Sequence, residues 1–178
     1  MRLLPFAVAY GITYHLSGGA PWLGLAWGDL APQLWFAAFA APSMFAAAVG
    51  VQLWLTRRRG ALSVPADAGD ALFQGGFYVV NGPVEEAFFR GLAQGGLSAL
   101  SPLVGFVAAT VAYVLYHRLG RWTWPDTLAT ALVGVPLGLA YWLLPGPPSL
   151  VGISIAHIAA TCGFLGPGPY LLRRLRLL

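Results

Sequence analysis

The sequence predicts an all-α fold, a polytopic bundle of transmembrane helices, and three observations carry that prediction. Hydrophobic residues make up 58% of the 178 positions and charged residues only 9%, with a mean hydropathy of +0.70, whereas a soluble domain carries about 25% charged residues. The apolar residues run in stretches comparable to the roughly 20 needed to span a bilayer as a helix. The arginines gather beside the ends of these stretches, at Arg57, Arg58 and Arg59, at Arg118 and Arg121, and at Arg173, Arg174 and Arg176.

The last pattern also explains the formal net charge of +4. Basic residues at the ends of apolar stretches are what the positive-inside rule expects of cytoplasmic loops, so nucleic-acid binding is set aside. About six membrane helices are expected, at 3–16, 31–55, within 70–98, 102–119, 126–144 and 149–166. The first contains Pro5, Tyr10, Tyr14 and His15 and is followed by further spans, so it reads as a membrane helix rather than a cleaved signal peptide. His15 has no acidic or histidine companion nearby and reads as interfacial. The segment 60–70, with Asp67 and Asp70, reads as a short interfacial connection, and the turns carry "SP" at 101 and 102 and "PGPP" at 145–148.

Six crossings place every basic cluster, and Arg2, on the cytoplasmic side, with both termini cytoplasmic and the cell membrane as the expected location. Residues 1–178 read as a single integral membrane domain without internal repeat. Gly134 and Gly138 suit close helix packing inside the bundle. Cys162 has no disulfide partner in the chain and reads as a buried, inert thiol.

Ionisable residues within the membrane are costly and are functional candidates by default. Here they are Glu85, Glu86, Arg90, His117 and His157. Glu86 and Arg90 are four positions apart and share a helix face, with the glutamate on the favourable N-terminal side. Glu85 is rotated away by about 100° and lacks that partner. Asn81, Gly82 and Pro83 read as the start of the helix, with Asn81 as its cap. Glu85 lies 16 residues before Ser101 and His117 lies 16 after it, so in a helical hairpin both stand about 24 Å from the turn. At one depth, a carboxylate and an imidazole can position and deprotonate water. His157 is expected about 15 Å from the same outer side, a mismatch of level, with Thr161 one turn later on its face. Two donors there would suit an oxyanion.

"EEAFFR" fits the EExxxR motif of the CPBP intramembrane proteases, the group that includes the CAAX prenyl endopeptidase and the abortive-infection proteins. "YVLYH" resembles its FxxxH motif and "HIAAT" its HxxxN motif. The resemblance implies an intramembrane endopeptidase with its site on helices 3, 4 and 6. In that reading Glu85 and His117 activate water, His157 and Thr161 serve the oxyanion, and Glu86, Arg90 and Tyr113 support the site. Tyr113 replaces phenylalanine, leaving an aromatic wall, and Thr161 replaces asparagine with a shorter donor.

The resemblance implies no cofactor. A zinc-dependent version would use Glu85, His117 and His157, two histidines and a carboxylate with an open position for water. Expected partners are the lipid bilayer and a peptide or membrane-protein substrate, which the resemblance allows to be lipid-modified. The competing reading is a non-catalytic scaffold or immunity-type protein that keeps the same charges. A transporter is disfavoured by the lack of repeats, and a haem or quinone protein would leave the two glutamates and the arginine without a role.

Overall fold

The computed structural model describes residues 3–59, 64–120 and 122–177, the side chain of Arg59 excepted. Arg2 and Arg121, and residues 60–63 of the expected connection, lie outside the described residues, as does the Arg59 side chain. Helices α1 (Leu3–Leu16), α2 (Leu30–Arg59), α3 (Ala68–Glu86), α4 (Pro102–Tyr116), α5 (Trp124–Ala129), α6 (Ala131–Leu143), α7 (Val151–Phe164) and α8 (Pro167–Arg174) account for most of the chain. No strand occurs among the described residues. The fold is all-α, as the composition requires.

Three of these segments, Leu30–Arg58, Pro102–Gly120 and Trp124–Leu143, are long and apolar enough to cross a membrane, and the bent pair α7 and α8 would make a fourth. Helix α1 is apolar but only 14 residues long. In α3 the apolar run is interrupted by Asp70, Gln74, Asn81, Glu85 and Glu86. Large apolar side chains nonetheless point outward along α3 and α4, among them Phe73, Phe77, Val80, Val107 and Val111. An outer surface of this kind is suited to lipid rather than water.

Helices α2 and α7 form the most extensive pair, and glycines let them touch. A Cβ on Gly152 would lie 2.6 Å from the Gln33 carbonyl oxygen, and one on Gly163 would collide with the Phe45 carbonyl. Close backbone approach at small residues is the usual basis of helix pairing in lipid. The contacts advance together along both chains, so α2 and α7 are parallel and their C-terminal ends lie at the same end of the bundle. The Gln33 side chain also accepts a hydrogen bond from the Gly152 amide at 3.2 Å.

Helix α3 begins earlier than the sequence suggests. Asp67, in extended conformation, caps it by accepting from the Asp70 amide at 2.9 Å, and the Asp70 carboxylate accepts from the Ala66 amide at 2.9 Å. Asn81 is therefore no cap, and Glu85 and Glu86 are not near a positive helix end. Pro83 sits inside the helix, where its missing N–H withholds a bond only from the Val79 carbonyl. Beyond Glu86 the helix widens into a π-helical stretch, Ala87–Gly95, a rare geometry often found at functional sites.

The expected helix 126–144 is two helices meeting at Thr130, whose hydroxyl donates back to the Thr127 carbonyl at 2.7 Å, an arrangement that bends helices. After α7, Gly166 at φ +57° turns the chain into α8. Arg173 ties α8 to the start of α3 by donating to the Ala66 carbonyl at 2.8 Å. Cys162 is half-buried rather than enclosed.

The π stretch has two working faces, each spaced by four residues. Gly91 and Gly95 lie against the carbonyls of Leu23 and Trp22 in a 3-10 turn, Pro21–Leu23, while Arg90 and Gln94 face α6. Gly95→Leu is expected to force that turn away, costing about 1–3 kcal/mol as overpacking does. Reversible unfolding in detergent measures this, with the exposed Gly76→Leu as a control that has open space at its Cβ.

Candidate active site

The site is built on α3 and its π continuation, which carry Glu85, Glu86 and Arg90. Glu86 and Arg90 are fully enclosed, while Glu85, Tyr113 and His157 keep 2–5% of their surface. An isolated charge at such depth is prohibitive, so the group survives only as a bonded network. The Glu86 carboxylate provides its centre. One oxygen lies 3.4 Å from Arg90 Nε and the other 2.6 Å from His157 Nδ1.

Arg90 spends its remaining donors on helices α6 and α4. It donates to the Gly134 carbonyl at 2.9 Å and to the Thr110 hydroxyl at 3.3 Å, and its guanidinium sits 5.3 Å from the centre of the Tyr113 ring. One turn on, Gln94 donates to the Gly138 carbonyl at 2.8 Å. The glycine pair makes this possible: a Cβ on Gly134 would meet the Tyr113 ring at 2.8 Å, and one on Gly138 the Phe106 ring at 2.9 Å. The spacing read from sequence as helix packing thus clears room for a buried arginine.

An ionised Glu86 needs a donor at 2.6 Å, which places the His157 proton on Nδ1. The opposite nitrogen, Nε2, then faces Glu85 Oε2 at 3.6 Å and the Tyr113 hydroxyl at 3.4 Å. Asn81, one turn earlier on the same helix, lines the cavity together with Glu85. Gly82 lets α7 come this close, since a Cβ there would lie 2.9 Å from the Ile158 side chain.

His117 falls in the 3-10 turn His117–Gly120 that ends α4. Its Nδ1 bonds the Tyr113 carbonyl at 2.8 Å, which leaves Nε2 as the ring's acceptor nitrogen. The ring packs against Trp122 at 5.0 Å, and Trp122 stacks on Phe164 at 5.5 Å. These groups enclose a cavity of about 340 Å³ whose lining includes Asn81, Glu85, Tyr113, His117, His157 and Thr161.

All the residues singled out from sequence therefore meet, either at this cavity or, for Glu86 and Arg90, directly behind it. Two expectations need correcting. Glu86 does not serve Arg90 alone but grips His157 as well, a contact across helices that no local spacing reveals. His157 is not out of level with Glu85. Their side chains come within 3.6 Å; the estimate assumed a regular α-helix from Glu85 to Ser101, and the π-helical stretch Ala87–Gly95 breaks that assumption. Sequence reasoning also passed over Asn81 as a cavity neighbour of Glu85, which helical spacing could have found, and the hydroxyl of Tyr113, whose partner His157 lies on another helix.

Among the described residues no three His, Cys, Asp or Glu side chains group as a metal-binding set. Removing Arg90 would leave Glu86 buried with its charge half-compensated. Arg90→Leu is expected to cost about 3–5 kcal/mol, measured by unfolding in detergent, whereas Glu85→Gln should leave stability nearly unchanged.

Comparison with known proteins identifies the family of the chain. No curated protein and no solved structure matches the chain, but the profile of the family described as type II CAAX prenyl endopeptidase Rce1-like matches residues 67–162. The match starts at the cap of α3 and ends within α7, taking in Glu85, Glu86, Arg90, Tyr113, His117, His157 and Thr161. It covers more than half of the chain, which belongs to the Rce1-like family of type II CAAX prenyl endopeptidases.

Proposed function

We propose that the protein is an intramembrane endopeptidase that hydrolyses a peptide bond with water activated by Glu85 and His117. The observation that carries this reading is the Glu85 carboxylate, almost wholly buried yet lining the cavity shared with both histidines. A general base contributes most when it is held within reach of the water it deprotonates. The packing of α7 on Gly82 holds Glu85 in place, and the bond from Nδ1 to Tyr113 directs His117 Nε2 as acceptor.

The reaction then balances as follows. Water bonds to the scissile carbonyl carbon while its proton passes to Glu85, and the carbonyl electron pair moves onto oxygen. Protonated His157, its Nδ1–H on Glu86, donates through Nε2–H to that oxyanion, the kind of preorganised donor that accounts for much of enzymatic catalysis. Collapse breaks the carbon–nitrogen bond, and the amine leaves with the proton held on Glu85. The charges match this scheme once His157 has taken up a proton from solvent, since Glu85 and Glu86 are then balanced by Arg90 and the protonated His157.

The reading extends to the setting. We place the bundle in the cell membrane with six crossings and both termini cytoplasmic, as one domain, acting on a peptide or membrane-protein substrate whose prenylation the family description suggests. The metal-free route is the one the family resemblance implies, with a zinc-dependent version using Glu85, His117 and His157 as the alternative.

A farnesylated CaaX peptide with a fluorophore and quencher flanking the bond provides the assay. Glu85→Gln and His117→Ala are each expected to lower kcat by about 10²- to 10⁴-fold with an unchanged unfolding midpoint. Activity equal to wild type in either variant contradicts the proposal. Phenanthroline or EDTA in excess is expected to leave cleavage intact, whereas loss that zinc restores would favour the metal-dependent version.

A further inference from the structure

Tyr113 carries a hydroxyl at a position where an aromatic ring alone would complete the wall. A buried tyrosine hydroxyl needs a partner, and this one lies 3.4 Å from His157 Nε2. With the His157 proton on Nδ1 toward Glu86, Nε2 presents a lone pair, so the phenol is the donor.

The ring is fixed on several sides. Phe89 meets it edge-on at 5.3 Å, the His157 ring lies perpendicular at 5.7 Å, and Gly134 leaves just enough room behind it. A donor held this way loses little freedom when it acts. Tyr113 also accepts the His117 bond through its carbonyl, so a single residue touches both histidines. Thr161 lines the same cavity, but its hydroxyl is carried on a much shorter side chain than the tyrosine's.

We propose that the Tyr113 hydroxyl is the second hydrogen-bond donor of the oxyanion pocket, holding His157 Nε2 in the resting site and turning to the carbonyl oxygen during attack. When His157 takes up a proton from solvent as substrate binds, Nε2 becomes a donor and releases the phenol. Both N–H and O–H then point toward the oxygen that receives the carbonyl electron pair, while the water proton rests on Glu85. No bond to Tyr113 forms or breaks. The oxyanion role rests on the protease reading, whereas the resting hydrogen bond stands on geometry alone.

The test compares wild type, Tyr113→Phe and Tyr113→Phe/Thr161→Asn. The chain has three histidines, so ¹⁵N-histidine spectra in detergent can be assigned with single His→Gln variants. Tyr113→Phe is expected to move the His157 Nε2 resonance and leave His15 in place. With the farnesylated CaaX probe, kcat should fall roughly ten- to a hundredfold, with KM within about twofold of wild type. Adding Thr161→Asn should recover most of the loss, because the amide supplies a donor from α7, and a merely structural defect would show no such rescue. An unmoved Nε2 resonance overturns the hydrogen bond, and an undiminished kcat in Tyr113→Phe overturns the donor role. Wild-type protein that fails to cleave the probe counts against the protease reading and removes the donor role with it, while the resonance still decides the hydrogen bond.

Discussion

The carboxylate of Glu86 lies between an arginine and a histidine, closed off from the protein surface, and the arrangement of four helices follows from keeping it paired. Arg90 cannot be enclosed unless its other nitrogens find acceptors, which draws in the Gly134 carbonyl of α6 and the Thr110 hydroxyl of α4. His157 cannot reach the other oxygen unless α7 lies against α3, which Gly82 permits. Buried ion pairs are weak evidence of stability in general, since desolvation offsets much of the attraction. Here the pair has a geometric consequence: it fixes which nitrogen of His157 faces the cavity.

Division of labour between adjacent glutamates follows from that constraint. Glu86 faces inward and is committed to the network, while Glu85, about 100° further round the helix, faces the cavity and pairs with no arginine among the described residues. A carboxylate used as a base must gain and lose a proton, and one locked against a guanidinium could not do so readily. Separating the structural carboxylate from the reacting one within a single helical turn keeps the site intact as the proton moves. The aromatic groups Tyr113, Trp122 and Phe164 complete an enclosure in which such charges interact strongly.

Much of this was legible in the chain. Composition and the placement of arginines gave the helical class, and α1 and the start of α4 fall where the apolar runs and Pro102 put them. The charged residues in an apolar setting pointed to Glu85, Glu86, Arg90 and His157, which the structure brings into one cluster. What the sequence hid was geometry that depends on other segments. Asn81 to Pro83 has the look of a helix start, but the cap belongs to Asp67, since α3 has neighbours to pack against long before Pro83. The π stretch packs Arg90 and Gln94 on α6 and Gly91 and Gly95 on the turn Pro21–Leu23, contacts between distant segments that local propensity does not announce. The break at Thr130 and the extra helix α8 likewise depend on single hydroxyl and glycine conformations.

The central claim is that Glu86 sets the orientation of His157, and the tautomer of that imidazole reads it most directly. In ¹⁵N spectra of the neutral protein in detergent or bilayers, the account predicts His157 protonated at Nδ1, with a strongly deshielded Nδ1 proton that moves upfield in Glu86→Gln. A His157 protonated only at Nε2, or an Nδ1 signal indifferent to Glu86→Gln, would contradict it.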